Sequence, residues 1–341
     1  MMRLLSGILF FVCCISYSQG KLSFISKSKV VFSQMNTVKN IHVFLLDEDN
    51  KIPINGNSVL KKNRLYFTPD LPFIPSAKYV LVSNKSEYLF SLEPKNKRLP
   101  SVSKIYPTSD ILPENLLRIY IQFSEPMRTD NNLKSIKLYD ENHQEIKGAI
   151  FNNVQELWDT SQKQLTLIFD PSRVKTGLIA HKSLGRALEG YKTYYLKINP
   201  LKSVSGKMMA QATYKRFKVS KADFNFPDIS NWKIDFPKKN TKNALKIDFY
   251  ESIDIMSLYH RISVYDKNNN LVLGNLKIGD GEKTWSFFPE KPWKKHQYFI
   301  RINSRLSDPS GNNLNGLFDH KIGSLKNKKE GNIVTIPFYI K

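Results

Sequence analysis

"IKLYDEN" (136–142) and "ISVYDKN" (262–268) are one phrase written twice in a chain of 341 residues: apolar, polar, apolar, Tyr, Asp, then a polar pair. A third copy, "VFLLDED" (43–49), keeps the alternation and has Leu46 where the others have Tyr139 and Tyr265. Each phrase ends in an aspartate, Asp47, Asp140 or Asp266, and a polar cluster follows before apolar residues resume. Alternation, an Asx-rich turn and renewed alternation is the signature of a β-hairpin.

The agreement runs on downstream. "LYFTP" (65–69), "LIFDP" (167–171) and "WSFFP" (285–289) share apolar-x-Phe-x-Pro, and proline suits a strand end because it has no N–H for the ladder. Three strands opened by tyrosine come next, at Tyr79, Tyr194 and Tyr298. Two copies also have an opening strand upstream: "LRIYIQF" puts Leu117, Ile119, Ile121 and Phe123 on one face, and "LKIDF" does the same with Leu245, Ile247 and Phe249. Short strands with turn signals between them predict antiparallel sandwiches. A period near 100 residues is too long for a solenoid or propeller blade, so each unit should own a core. The polar, proline-bearing stretches at 93–101 and 220–228 divide the units into 19–98, 99–222 and 223–341. The first is shorter at both ends and reads as degenerate.

The opening 18 residues stand apart. Arg3, an apolar run from Leu4 to Ile15 and the small-x-small ending Ser16-Tyr17-Ser18 predict a secretory signal peptide cut before Gln19. The run is about half the ~20 residues that span a bilayer, so no transmembrane anchor is expected in the mature chain. Both cysteines, Cys13 and Cys14, leave with that segment, which removes disulfides and thiolate chemistry from consideration. Neither is preceded by the small residues that lipidation requires.

The middle unit opens "YPTSDILPENLLRIYIQFSEPM" (106–127). It resembles the start of bacterial Ig-like domains of the SbsA type, through Pro107, the Leu112-Pro113 turn, the alternating strand and "FSEPM". The third unit shares the far-end "SDPSGNNL" (307–314) but departs at "YESID" (250–254), which lacks the motif's proline. The resemblance implies tandem Ig-like antiparallel β-sandwiches in an exported, surface-associated protein. It implies no catalytic residue.

Chemistry-bearing patterns are sparse. The six histidines show no i, i+4 pair, so no local zinc signature exists. Asp266-x-Asn268-x-Asn270 opens like an EF-hand, but Leu271 stands at the glycine position and Lys277 at the glutamate position; a plain turn is the reading, and no cofactor is expected. There is no P-loop, G-x-G-x-x-G or G-x-S-x-G. Against its sister units, the middle one carries two insertions. From the hairpin Asp to the strand-ending Pro takes 31 residues there (140 to 171) against 22 and 23 elsewhere; from that Pro to the strand-opening Tyr takes 23 (171 to 194) against 10 and 9. The first insertion brings Glu156, Trp158 and Asp159; the second brings Arg173, His181 and Arg186. These six are the candidate binding or interdomain-contact residues, with Trp158 expected against an adjoining domain, since loops are where sandwiches acquire function.

Formal net charge is +22, of which Arg3 supplies one; the rest is spread as 13 basic against 6 acidic groups over 19–100, 19 against 11 over 101–222 and 19 against 13 over 223–341. A nucleic-acid groove concentrates its charge, so the even excess argues against specific nucleic-acid binding and for weak association with anionic envelope polymers or glycans. The expectation is an exported, non-enzymatic protein with a structural or adhesive role at the cell envelope. A carbohydrate-binding or envelope-enzyme accessory module is the alternative, and a hydrolase with an unrecognised site comes third.

Overall fold

The hairpin phrase folds the same way in the second and third units of the computed structural model. Asp140 Oδ1 accepts from the backbone N–H of Asn142 and Gln144 at 2.9 and 2.8 Å, and Asp266 Oδ1 accepts from Asn268 and Asn270, both at 2.9 Å. His143 (φ 59°) and Asn269 (φ 68°) take the left-handed conformation that closes each tip. The repeated aspartate is therefore a turn cap: a short carboxylate satisfies the backbone N–H groups that the turn frees.

The structure describes residues 22–26, 29–33, 41–47, 50–74, 77–83, 86–91, 98–151, 155–175, 185–319 and 331–341. The signal-peptide reading of 1–18 lies outside them. Met1–Arg98 and Leu99–Lys341 form two compact units.

The first unit is one sandwich. Strands β1 (Leu22–Ser26), β2 (Lys29–Ser33), β6 (Arg64–Pro69) and β5 (Gly56–Lys61) make one sheet in that order. The other is β4 (Asn50–Ile54), β3 (Ile41–Asp47), β7 (Lys78–Ser83) and β8 (Ser86–Ser91). Val30, Phe32, Leu65 and Phe67 from the first meet Val43, Tyr79, Leu81 and Phe90 from the second in a single core. Though short in sequence, this unit has both sheets.

The second unit holds two sandwiches. In the middle one, β9 (Val102–Tyr106), β11 (Arg118–Phe123), β14 (Gln164–Ile168) and β13 (Leu157–Trp158) face β12 (Ile136–Tyr139), β15 (Thr193–Ile198) and β16 (Thr213–Ser220). Strand β10 (Ile111–Pro113) adds to β16 in parallel. In the third, β17 (Lys233–Asp235), β18 (Leu245–Asp248), β21 (Thr284–Pro289) and β20 (Gly274–Ile278) face β19 (Ile262–Asp266), β22 (Gln297–Asn303) and β23 (Ile333–Tyr339). In all three the strand orders are A-B-E-D against C-F-G, with β4 added beside C in the first and β10 beside G in the second, which is the immunoglobulin arrangement. The fold is all-β, in tandem Ig-like sandwiches, as the repeat predicts. Among the described residues two short α-helices interrupt it, α1 (Pro171–Val174) and α2 (Ile255–His260).

The tyrosine that opens each F strand has one job in all three sandwiches. The Tyr79 hydroxyl accepts from the Ile74 N–H at 2.8 Å, Tyr194 from Glu189 at 2.9 Å and Tyr298 from Lys294 at 3.0 Å. Each ring is buried while its hydroxyl pins the chain entering the strand: the tyrosine corner of this fold. Burial raises all three phenol pKa values. Glycine at the start of the D strand is a second shared requirement, because a Cβ at Gly56 or Gly274 would collide with the carbonyl of Thr68 or Phe288.

Replacing Tyr194 or Tyr298 by Phe should keep the ring packing and cost about 1 kcal/mol each, the net worth of one hydrogen bond. Urea unfolding measures this; unchanged stability in both variants would contradict the assigned role.

Candidate functional site

Strand β11 breaks the alternation expected of a half-exposed strand. Ile119, Ile121 and Phe123 fill the middle core, yet Tyr120 on the opposite face is also buried, at 5% exposure. The third sandwich covers that outer face. Tyr106, Tyr120 and Ile255 form a buried apolar contact flanked by Met256 and Ile278. Gln164 Nε2 reaches Met256 Sδ at 3.1 Å across the same sheet.

Buried polar groups run through this joint, and its carboxyls are met by donors. The Tyr120 hydroxyl donates to Asp254 Oδ2 at 2.7 Å, while Asp254 Oδ1 caps α2 by accepting from the Ser257 N–H at 3.0 Å. Glu282, 2% exposed, accepts from the Thr108 N–H at 2.9 Å and the Thr108 hydroxyl at 2.7 Å. Gly281 and Glu282 both adopt positive φ, 64° and 56°, which turns the carboxylate toward Thr108. Lys215 Nζ donates to the Ser109 carbonyl at 3.1 Å, and burial lowers its pKa.

The "SDPSGNN" turn (307–313) seats in the middle sandwich's "LPENLL" loop (112–117). The Leu117 N–H donates to the Pro309 carbonyl at 3.0 Å. Asn115 donates to the Asp223 carbonyl and accepts from the Asp223 N–H, both at 2.8 Å, and also accepts from the Ser310 hydroxyl at 3.0 Å. Asn312 bridges the Asp223 carbonyl and Asp308 Oδ2 at 3.1 and 2.9 Å. The linker residue Asp223 is thereby tied to both sandwiches.

Burial raises the pKa of Asp254 and Glu282, and pushes Asp308 up to about 8 and Glu251 up to about 7, with Asp223 adding like-charge repulsion to the latter two.

The candidates named from sequence take structural positions. Glu156 accepts from Asn132 Nδ2 at 2.9 Å, the Leu133 N–H at 2.9 Å and Trp158 Nε1 at 2.8 Å. Trp158 packs on Phe123 of its own sandwich, with ring centroids 5.5 Å apart, and not on an adjoining domain. Asp159 caps a tight turn. Partial burial opposes its ionisation, but donors from Ser161, Gln164 and Lys163 outweigh that and lower its pKa. Arg173 is buried and donates to the carbonyls of Gly185, Lys147 and Arg186. Val174, Ala187 and Leu188 of the same insertion sit in the core of the sandwich. Arg186 pairs with Glu114 at 3.4 Å and, across the joint, with Asp319 at 4.0 Å. His181 lies outside the described residues. Glu156 and Trp158 are thus brought together, Arg173 and Arg186 meet through a carbonyl, and the two groups serve different ends.

Asp266 spends its carboxylate on the hairpin and also accepts from Asn270 Nδ2 at 3.2 Å. Among the described residues no group of three His, Cys, Asp or Glu is placed to hold a metal ion, and no helix is long and apolar enough to cross a membrane.

No protein-family model matches the chain, and no curated protein matches it. Solved structures overlap it at low similarity. The N-terminal part of the bacterial S-layer protein SbsC shares 15% identity over 60% of this chain and 40% of that one, with a TM-score of 0.25. Native alpha-2-macroglobulin from Escherichia coli, domains MG0-NIE-MG1, shares 9% over 61% and 67%, with a TM-score of 0.24. The FN1-FN3 domains of chicken CNTN1 share 10% over 94% and 97%, with a TM-score of 0.21. The immunoglobulin-like assignment rests on the strand orders.

A raised carboxyl pKa means that the folded state holds its proton where the unfolded chain has released it. Stability contributed by Asp308 is full below pH ~4 and is lost as pH rises toward 8. Asp308→Asn should therefore flatten the fall of Tm between pH 4 and 8 relative to the parent; parallel Tm–pH curves would contradict this.

Proposed function

We propose that this is a non-catalytic, exported protein of SbsA-type Ig-like modules with a structural or adhesive role at the cell envelope. The observation that carries the reading is the joint. Asp254, Glu282 and Asn115 bond across it, and Asp308 braces the turn that seats in it. A protein that invests buried carboxyls in fixing the angle between modules is built to hold a distance and an orientation. The sequence features of export and the resemblance to surface-layer-type domains support the same reading. Fractionation of tagged full-length protein in its native cells tests it: the account expects envelope-associated, externally protease-sensitive material, and a cytoplasmic pool would contradict it.

A second reading, glycan binding, is favoured by the outer face of the middle C-F-G sheet. Tyr139 and Tyr195 are cross-strand partners there, as are Lys197 and the exposed Tyr214. Lys197 Nζ lies 5.7 Å from the Tyr214 ring centroid, and the His143 ring lies tilted beside Tyr195, with centroids 5.4 Å apart. Flat aromatics beside donors suit a sugar ring. Tyr195→Ala combined with Tyr214→Ala should abolish any glycan-array binding without lowering Tm by more than a few degrees; retained binding would sink this reading.

A further inference from the structure

Beside the buried Tyr120–Asp254 bond, a cavity of about 600 Å³ opens along the joint. Its rim carries Arg118 from β11, His260 and Arg261 from the end of α2, and Arg305 from the turn after β22. Two sandwiches thus supply three guanidiniums to one cavity. Among the described residues, none of the three has a carboxylate within the 4.0 Å of an ion pair. The sole acid in the lining, Asp254, is already taken by Tyr120 and the Ser257 N–H.

The contrast with the chain's other inward-facing arginines is informative. Arg173 is met by three carbonyls and Arg186 by two carboxylates. Where this fold uses arginine for structure, it supplies acceptors. Arg118 has the Tyr120 hydroxyl as an acceptor and Asp254 as a counter-charge, whereas Arg261 and Arg305 add two further positive charges to the same lining, and the repulsion among like charges in a concave site is offset when an anion binds.

We infer that this cavity is a binding site for a small organic oxyanion, a carboxylate or phosphate ester, held by Arg118, Arg261 and Arg305. The planar guanidinium fork matches a two-oxygen face, and three arginines lining one cavity from two modules suit one oxyanion better than an extended chain. Leu117 and Phe318 add an apolar wall for the carbon skeleton, and the volume is that of a ligand with a ring or short chain behind its charge. Being built from both sandwiches, the site exists only while the joint is closed, so its ligand would bind the joined state alone and stabilise it.

Isothermal titration of the full chain with galacturonate, glucose 1-phosphate and inorganic phosphate tests the assignment and separates the two oxyanion types. Binding of galacturonate assigns a carboxylate site, and binding of either phosphate assigns a phosphate site. In each case Arg261→Gln and Arg305→Gln should each weaken affinity about tenfold or more, the worth of a charge-assisted bond. Arg305 is exposed, so its variant should keep the parent Tm. Arg216→Gln with Lys218→Gln, which removes two cations from the remote outer face of the middle sandwich, should leave affinity unchanged. No binding of any probe at 10 mM, or equal loss in the remote variant, would overturn the proposal. Loss at the remote site alone would point to general basicity instead.

Discussion

Burying a carboxyl costs several kcal/mol unless donors meet it, and the joint between the second and third sandwiches is built around that constraint. Asp254, Glu282 and Asp308 are each at most 6% exposed, and each is placed where a donor from across the joint or from its own turn reaches it. The rest of the 99–341 unit follows from meeting those demands. Helix α2 starts at Asp254 because the same carboxylate that takes the Tyr120 proton bond also caps its first turn. The 307–313 turn is tight because Asp308 and Asn312 must close on each other before Asn312 can reach Asp223. A joint of this kind is directional: shifting it would strand several buried groups at once, whereas an apolar contact would slide at little cost.

Much of the fold was legible because it repeats. The hairpin aspartate, the strand-closing proline and the corner tyrosine each follow from a local rule that a short window of sequence displays. The opening strands of the first sandwich escaped notice because "LSFIS" and "KVVFS" are brief and carry no turn signal of their own. The joint was not legible. Tyr120 occupies a position that alternation assigns to solvent, and only the arrival of another module buries it. The departure of "YESID" from its sister motif was visible in the sequence, and Asp254 stands at its end. What that departure was for depends on a residue 134 positions away. Loop-length comparison located the insertions; Trp158, Glu156 and Arg173 look like binding residues by type, and the partners the structure shows for them lie in the sandwich's own backbone and core.

The three modules differ in their attachment. The first is a compact unit with its own core, and the other two share a polar seam. That division gives the chain one module outside a fixed pair whose geometry is set by buried hydrogen bonds. Such a pair can present a sheet face or a cleft at constant orientation.

The central claim is that the second and third sandwiches stand or fall together. Hydrogen exchange on the full chain carrying Leu165→Ala tests it, since that substitution hollows only the middle core and should cost about 2–5 kcal/mol. If the joint couples the modules, amides of β22 around Ile300 in the third sandwich lose protection along with those of β11. If β22 keeps its parent protection while β11 opens, the two sandwiches are independent and the account of the joint is wrong.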